Sequence, residues 1–273
     1  MTAYNREKYI SYAIESVLAS TFINFELIIV DDCSTDKTVE IARKFEIIDS
    51  RVKVFVNERN LGDYPNRNRA ASYSSGKYLK YVDADDYIYP NGLEIIVALM
   101  EKHPKASVGI FSLPQNLEQP FPIFLQSCQA YEYNFFGQGL FHKAPLSAIF
   151  RKDAFDEIGG FSLIRHAGDF EMWHKMAQKF NFLLIQDHIV WFRVHDDQES
   201  KKHSIEVELH YTRIEKKYLE DSSSPLSRSK RNAIIKKRIN LYFRQMFFSI
   251  LKANLHTALL SFNRIIIYLG WKK

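Results

Sequence analysis

Along the chain, short continuous apolar runs alternate with segments whose apolar residues recur every three or four positions. The runs Phe25 to Val30, Val52 to Val56, Tyr78 to Val82 and Val108 to Leu113 predict strands, the first buried on both faces. Ile10, Ala13, Ile14, Val17 and Leu18 predict a helix over 8–20. Further helices are predicted over 36–46, from Pro65 to Ser75, and from Gly92 to His103. Ser34 or Thr35 caps the first of these. Strand and helix alternate throughout, so the chain reads as an α/β protein with a mostly parallel sheet.

Residues 114–145 are punctuated by Pro114, Pro120, Pro122, Gly137, Gly139 and Pro145, and read as a loop-rich stretch shaping a pocket. A strand over 146–151, a helix over 152–158 and a break at Gly159-Gly160 follow. A helix over 169–179 and strands over 182–185 and 189–194 lead to His195. Ser222 to Pro225 reads as a linker, and 230–269 as helix in two pieces. Ile239, Tyr242, Phe243, Met246, Phe247, Ile250 and Leu251 keep helical spacing, with Lys236, Lys237, Arg244, Lys252 and Arg264 on the other face. Such a helix either lies on an anionic membrane surface or packs on the protein's own core. The expected organisation is a catalytic domain over 1–221, with halves 1–113 and 114–221, and a helical tail over 222–273.

Charge sharpens that division. The 273 residues carry a net charge of +5, yet no Asp or Glu follows Asp221, and residues 228–273 hold eleven Lys or Arg. The body is therefore acidic, at −6 over 1–221. An acidic body argues against nucleic-acid binding, and a basic tail points at an anionic surface. Two cysteines, Cys33 and Cys128, make neither a disulfide framework nor a four-cysteine zinc site. The polar start shows no signal peptide, and no apolar run approaches a membrane span, so a cytoplasmic protein is expected, peripheral on the inner face of the membrane.

Two acidic clusters close predicted strands, where ligands of open α/β sheets bind. Asp83-Ala84-Asp85-Asp86 places carboxylates two apart on a turn, suited to Mg²⁺ completed by phosphates and water, or else a solvated acidic turn. An EF-hand is excluded, because Tyr87 and Ile88 stand where a ligand and a glycine are needed. Asp31-Asp32-Cys33-Ser34 is either a strand end with a helix cap or an acceptor for a uracil imide or a ribose hydroxyl. The acids disfavour a Cys33 thiolate. Asp169 opens a helix and reads as a capping acid or a base, and His195 as a surface histidine or a ligand. Trp173 reads as core.

The order of these pieces resembles family 2 glycosyltransferases of the GT-A fold. The matching segments are Thr2 to Arg6, Phe25 to Asp36, Asn60-Leu61-Gly62, Arg67-Asn68, Gly76-Lys77-Tyr78 and Val82 to Asp86. Gly159-Gly160-Phe161, Gly168 to Trp173 and Arg193-Val194-His195 follow, so the resemblance covers about residues 1–200. It implies that Thr2, Tyr4 and Asp32 hold the nucleoside and that Arg67 lies near the base or diphosphate. Asp83 would meet the ribose. Asp85, with His195 from a closing loop, would meet Mg²⁺ or Mn²⁺. Asp169 matches the family's base, although Gly168 stands where an acidic partner is expected. Met1 stands where a central first strand should be ending, so that strand is expected to be missing, through a misplaced start or a truncated gene.

Direct attack by an acceptor hydroxyl needs one base and a neutralised diphosphate, and it inverts the anomeric centre. The resemblance implies a nucleoside-diphosphate sugar, UDP-linked by preference, and a saccharide or lipid-linked acceptor in cell-surface polysaccharide or glycolipid synthesis. The alternatives are an inactive, truncated membrane-associated module and a nucleotidyltransferase. Thr2 to Lys8 lacks the glycine-rich phosphate loop that a nucleotidyltransferase would want.

Overall fold

The computed structural model describes residues 1–186, 188–195 and 204–270. In chain order the first elements are β1 (Thr2–Ala3), α1 (Ile10–Leu18), β2 (Leu27–Asp31), α2 (Thr38–Ile48), β3 (Val52–Val56), α3 (Asp63–Ser72), β4 (Tyr78–Lys80), β5 (Tyr87–Ile88), α4 (Gly92–Lys102) and β6 (Ala106–Ile110). They continue with β7 (Ile123–Leu125), α5 (Ser127–Phe136), β8 (Ala148–Arg151), α6 (Lys152–Glu157), α7 (Gly168–Lys179), β9 (Asn181–Leu184) and β10 (Val190–Trp191), then α8 (Ile205–Glu220), α9 (Arg228–Leu251) and α10 (Leu255–Leu269). The chain divides into two compact units, residues 1–130 with 142–195, and 131–141 with 196–273.

In the first unit the apolar runs become strands because only strands buried on both faces tolerate them. Every residue of β2 is buried, and β2 pairs in parallel with β1 on one side and β3 on the other. The second sheet runs β4-β8-β6-β9-β7. There β8 is antiparallel to β4 and β6, β7 is antiparallel to β9, and only β6 and β9 run parallel. Parallel pairing thus holds in the first sheet and gives way to mixed pairing in the second. A further two-stranded ribbon joins β5 to β10. Ile10 and Ile14 of α1 and Ile96 and Met100 of α4 pack with Ile29 and Val54 in one core.

Two expectations are corrected. The place of the first strand is not empty: a two-residue strand, Thr2–Ala3, occupies it, with the Met1 ammonium donating to Ile28 O (2.7 Å), Val30 N to Met1 O (3.0 Å) and Asp32 N to Ala3 O (2.8 Å). Thr2 also bridges in parallel to Asp83, which ties the two sheets together. Backbone pairing of this kind leaves no side-chain period to read. Beside Met1 lies a cavity of about 330 Å³, lined by Val17, Leu27, Ile28, Leu79 and Val97 among others. The second correction concerns 114–145, which contains β7 and α5. Pro114, Pro120, Pro122 and Pro145 all fall outside these two elements, so they do not interrupt them.

In the second unit, α10 packs on α9 and α8 around Tyr242, Ile265 and Tyr268. Arg238 donates to both oxygens of Glu215 (2.8 Å each), and Arg264 pairs with Glu208. The predicted two-piece helix is therefore real, and α8 joins it. Phe247, Leu251, Leu255 and Leu259 remain exposed. No helix among the described residues is long and apolar enough to cross a membrane. Residues 271–273 of the basic tail lie outside the described residues.

Candidate functional site

Two loops at the carboxyl ends of β1 and β2 are laced together by the residues of the first two motifs. Asn5, in the left-handed region (φ 52°), donates its N–H to Ser34 Oγ (2.8 Å) and accepts from Thr35 N (2.9 Å). Arg6 N donates to Thr38 Oγ1 (2.7 Å), and Lys37 N to Glu7 (3.0 Å). Asp31 accepts from Ser34 N and Oγ, and burial raises its pKa.

Asp32 is a clamp for the next loop. Its carboxylate accepts from Asn57 Nδ2 (2.7 Å), Leu61 N (2.8 Å) and Gly62 N (2.8 Å), which explains the Asn60-Leu61-Gly62 motif. Three of its roughly four acceptor positions are used, so one is left for a ligand donor. The side chain of Tyr4 is 46% exposed.

Helix α3 gathers the other residues. Asn66 donates to Val30 O (3.1 Å), fixing the helix over the strand ends. Arg67 is buried, with Nε donating to Asp63 (2.8 Å) and Nη1 2.7 Å from Asp83 Oδ1. Thr2 Oγ1 lies 3.4 Å from the same Asp83 oxygen. Burial pushes the Asp83 pKa up, but the Arg67 charge and hydrogen bond outweigh it, and the net shift is downward. Thr2, Arg67 and Asp83 are thus brought together. Asn68 brackets Phe161, accepting from its N–H (2.9 Å) and donating to its carbonyl (2.8 Å) across 93 residues. Gly160 must be glycine here, because it has φ +67° and a Cβ would fall 2.5 Å from Asn68 Oδ1.

The turn after β4 meets the segment after β10. Asp85 Oδ2 accepts from Arg6 Nε (2.8 Å) and lies 3.0 Å from His195 Nε2. Arg193 donates from N to Asp86 (2.9 Å) and from Nε to Asp85 O (2.9 Å), and its guanidinium sits 5.2 Å from the Tyr9 ring centre. The His195 ring is tilted against Tyr9 with centres 4.9 Å apart and its side chain is 8% exposed, which is not the setting of a plain surface histidine. Burial, and then repulsion from Asp83, pushes Asp86 up to about 8. Arg6 and Arg193 stand in quoted motifs, but nothing in the linear order shows that both reach the same turn.

Asp169 opens α7 and accepts from Phe170 N (2.7 Å). Burial pushes its pKa up to about 6, against a hydrogen bond from Tyr64, and Asp63 and Arg67 act on it from α3. Sequence reasoning missed Tyr64, a single aromatic at a helix start that carries no pattern. Trp173 is core, as expected, fully buried, stacked on Phe150 at 5.5 Å and donating to Lys143 O (2.8 Å). His174 is buried, and that burial pushes its pKa down to about 3. Among the described residues no three His, Cys, Asp or Glu side chains gather as a metal cage.

A family model, glycosyl transferase family 2, matches residues 1–159. The Escherichia coli UDP-Glc:alpha-D-GlcNAc-diphosphoundecaprenol beta-1,3-glucosyltransferase WfgD is 40% identical over 103 residues. That match covers 38% of this chain and 40% of the relative, so well under two thirds of the relative's length is represented. Residues 1–349 of S. aureus TarS in complex with UDP-GlcNAc superpose with TM-score 0.61 at 17% identity, covering 98% of this chain and 90% of that one. The mannosyltransferase PcManGT of Pyrobaculum calidifontis, with GDP-Man and Mn²⁺, gives TM-score 0.61 at 13% identity, covering 100% and 86%. At these identities the likeness is one of fold, the GT-A fold.

Proposed function

The chain belongs to glycosyl transferase family 2, and from that premise we propose that it moves a sugar from a nucleoside-diphosphate donor to a hydroxyl of a saccharide or lipid-linked acceptor. One observation carries the reading. Arg67, Asp83 and Thr2 converge at the strand ends, on the same turn where His195 Nε2 meets an Asp85 carboxylate oxygen. The E. coli relative is named for a UDP-Glc donor and a diphosphoundecaprenol-linked acceptor, which supports a UDP-sugar and a lipid-linked acceptor in cell-surface polysaccharide or glycolipid synthesis here. The neighbours bound to UDP-GlcNAc and GDP-Man support the donor class.

In this reading Thr2, Tyr4 and Asp32 face the nucleoside, and Asp83 the ribose. Asp83 also keeps the buried Arg67 guanidinium in place beside the diphosphate. Asp85 and His195 would hold Mg²⁺ or Mn²⁺. One carboxylate and one imidazole fit a cation whose other positions come from phosphate oxygens and water. When bound, the cation neutralises the leaving diphosphate as a Lewis acid. Arg6 must first release the Asp85 oxygen it occupies. Asp169 takes the acceptor hydroxyl's proton while the new C1–O bond forms and the bond from C1 to the diphosphate oxygen breaks with its electron pair. Attack from the face opposite the diphosphate inverts C1.

The tail serves attachment. Phe247, Leu251 and Leu255 (75% exposed) stand near Arg244 and Lys252. That combination supports peripheral binding, through residues 228–273, to an anionic inner membrane face.

Isothermal titration of the full chain with UDP and with GDP, with and without Mn²⁺, tests the reading. Metal-dependent binding of one of them is expected. No affinity for either, with or without metal, would overturn it.

A further inference from the structure

Gly168 and Tyr64 are 104 positions apart and share one volume. A Cβ at residue 168 would lie 2.6 Å from Tyr64 Cδ2, 2.8 Å from Tyr64 Cε2 and 2.8 Å from Ser162 O. No L side chain fits there while the ring stays in place. The ring is held firmly: it is 5% exposed, sits in the first turn of α3, and lies 5.5 Å from the Phe161 ring. Phe161 is itself bracketed by Asn68 of the same helix.

Gly168 directly precedes Asp169, so the Tyr64 ring packs against the backbone that carries the carboxylate. The Tyr64 hydroxyl acts on that carboxylate as a hydrogen-bond donor and holds its pKa down against burial. The carboxylate's other hydrogen bond comes from Phe170 N (2.7 Å).

We propose that Tyr64 is the positioning residue of Asp169, and that residue 168 is glycine because Tyr64 occupies the space a side chain would need. The proposal rests on Asp169 being the base. A proton acceptor must be ionised and aimed, and the hydroxyl serves both ends. Burial works against ionisation, bringing the pKa to about 6, and the Tyr64 hydrogen bond is the strongest opposing influence. Asp63 adds repulsion and Arg67 attraction from the same helix. The departure at Gly168 is then a substitution of supports, with an aromatic hydroxyl from α3 holding the base from across the cleft.

Tyr64→Phe keeps the ring and removes only the hydroxyl. The carboxyl titration of Asp169, followed by ¹³C NMR on the full-length protein against Asp169→Asn for assignment, should move up from about pH 6. The acid limb of the transfer rate should move with it, and kcat at pH 7 should fall roughly two- to ten-fold with the donor KM unchanged. Gly168→Ala should lower the melting temperature by crowding the ring. Gly168→Ala with Tyr64→Leu should recover part of that loss while keeping the raised titration, because room is restored and the hydroxyl is not. An unmoved Asp169 titration in Tyr64→Phe would overturn the proposal and leave Tyr64 a packing residue. Undiminished transfer by Asp169→Asn would instead remove the base assignment, an outcome the titration alone cannot imitate.

Discussion

Asp83 and Asp169 are two half-buried carboxylates set by opposite means. Asp83 faces Arg67 at 2.7 Å, and the guanidinium overcomes burial so that the acid stays ionised. Among the described residues no ion pair to Asp169 is formed; a phenol and an amide N–H act on it at close range and Arg67 more weakly, and burial wins, bringing it up to about 6. One acid is suited to staying negative beside a ribose or phosphate. The other is suited to taking a proton and giving it up near neutral pH. In the proposed reading, the donor and acceptor sides of the site differ less in residue type than in what stands opposite each carboxylate.

The comparison can be broken most sharply at Asp169. Asp169→Asn keeps size and hydrogen bonding but cannot accept the proton. Transfer should fall by roughly 10²–10⁴ while donor binding stays within a few-fold. Steady-state kinetics beside titration of the donor decides, and equal losses in both would mean the residue binds rather than abstracts. Next is the counter-ion on the other side. Arg67→Ala strands Asp83 and Asp63 and should destabilise the chain by about 3–5 kcal/mol in urea unfolding. A loss below 1 kcal/mol would show that the pair is dispensable.

Third, the two carboxylates should respond oppositely to pH. Asp169 has a folded pKa near 6, above its unfolded value of 3.8, so its contribution to stability is full below about pH 4 and is lost as pH rises through 6. At pH 7 the charged form costs on the order of 2–3 kcal/mol. Asp169→Asn should therefore melt higher than the parent at pH 7 and equally at pH 4, and a mutant melting lower at pH 7 would contradict the assigned burial. The smallest effect is at the turn. Arg6→Gln frees the Asp85 oxygen and should tighten Mn²⁺ binding to the nucleotide-free protein by roughly three- to ten-fold, read by the free Mn²⁺ electron paramagnetic signal. Weaker binding would mean that Arg6 supports the site rather than competes for it.

What was legible in the sequence follows physical range. The runs 25–30 and 52–56 appear as β2 and β3 because burial on both faces leaves a continuous apolar mark. Asp169 was placed at a helix start because acids there suit the helix dipole. Asp32 shows the limit. Its position at a strand end was readable, but the grip on Leu61 and Gly62 that consumes most of its acceptor capacity is a tertiary fact. Tyr64 was invisible for the same reason, since its partner lies on another helix. Residues 1–3 pair through backbone alone, and β7 and α5 were hidden by prolines that border them without interrupting them.

The Asn68 bracket on Phe161 bears on the order in which the site assembles. Arg67 O receives the Tyr81 hydroxyl across 14 residues, whereas Asn68 meets Phe161 across 93. By chain-closure entropy the longer loop costs about 1.5–2 kcal/mol more to close. Thr2, Arg67 and Asp83 belong to the first 86 residues, whereas Arg193 and His195 reach the same turn only through long-range contacts. The contacts that return Arg193 to Asp86 and His195 to Asp85 close longer loops still, across 107 and 110 residues.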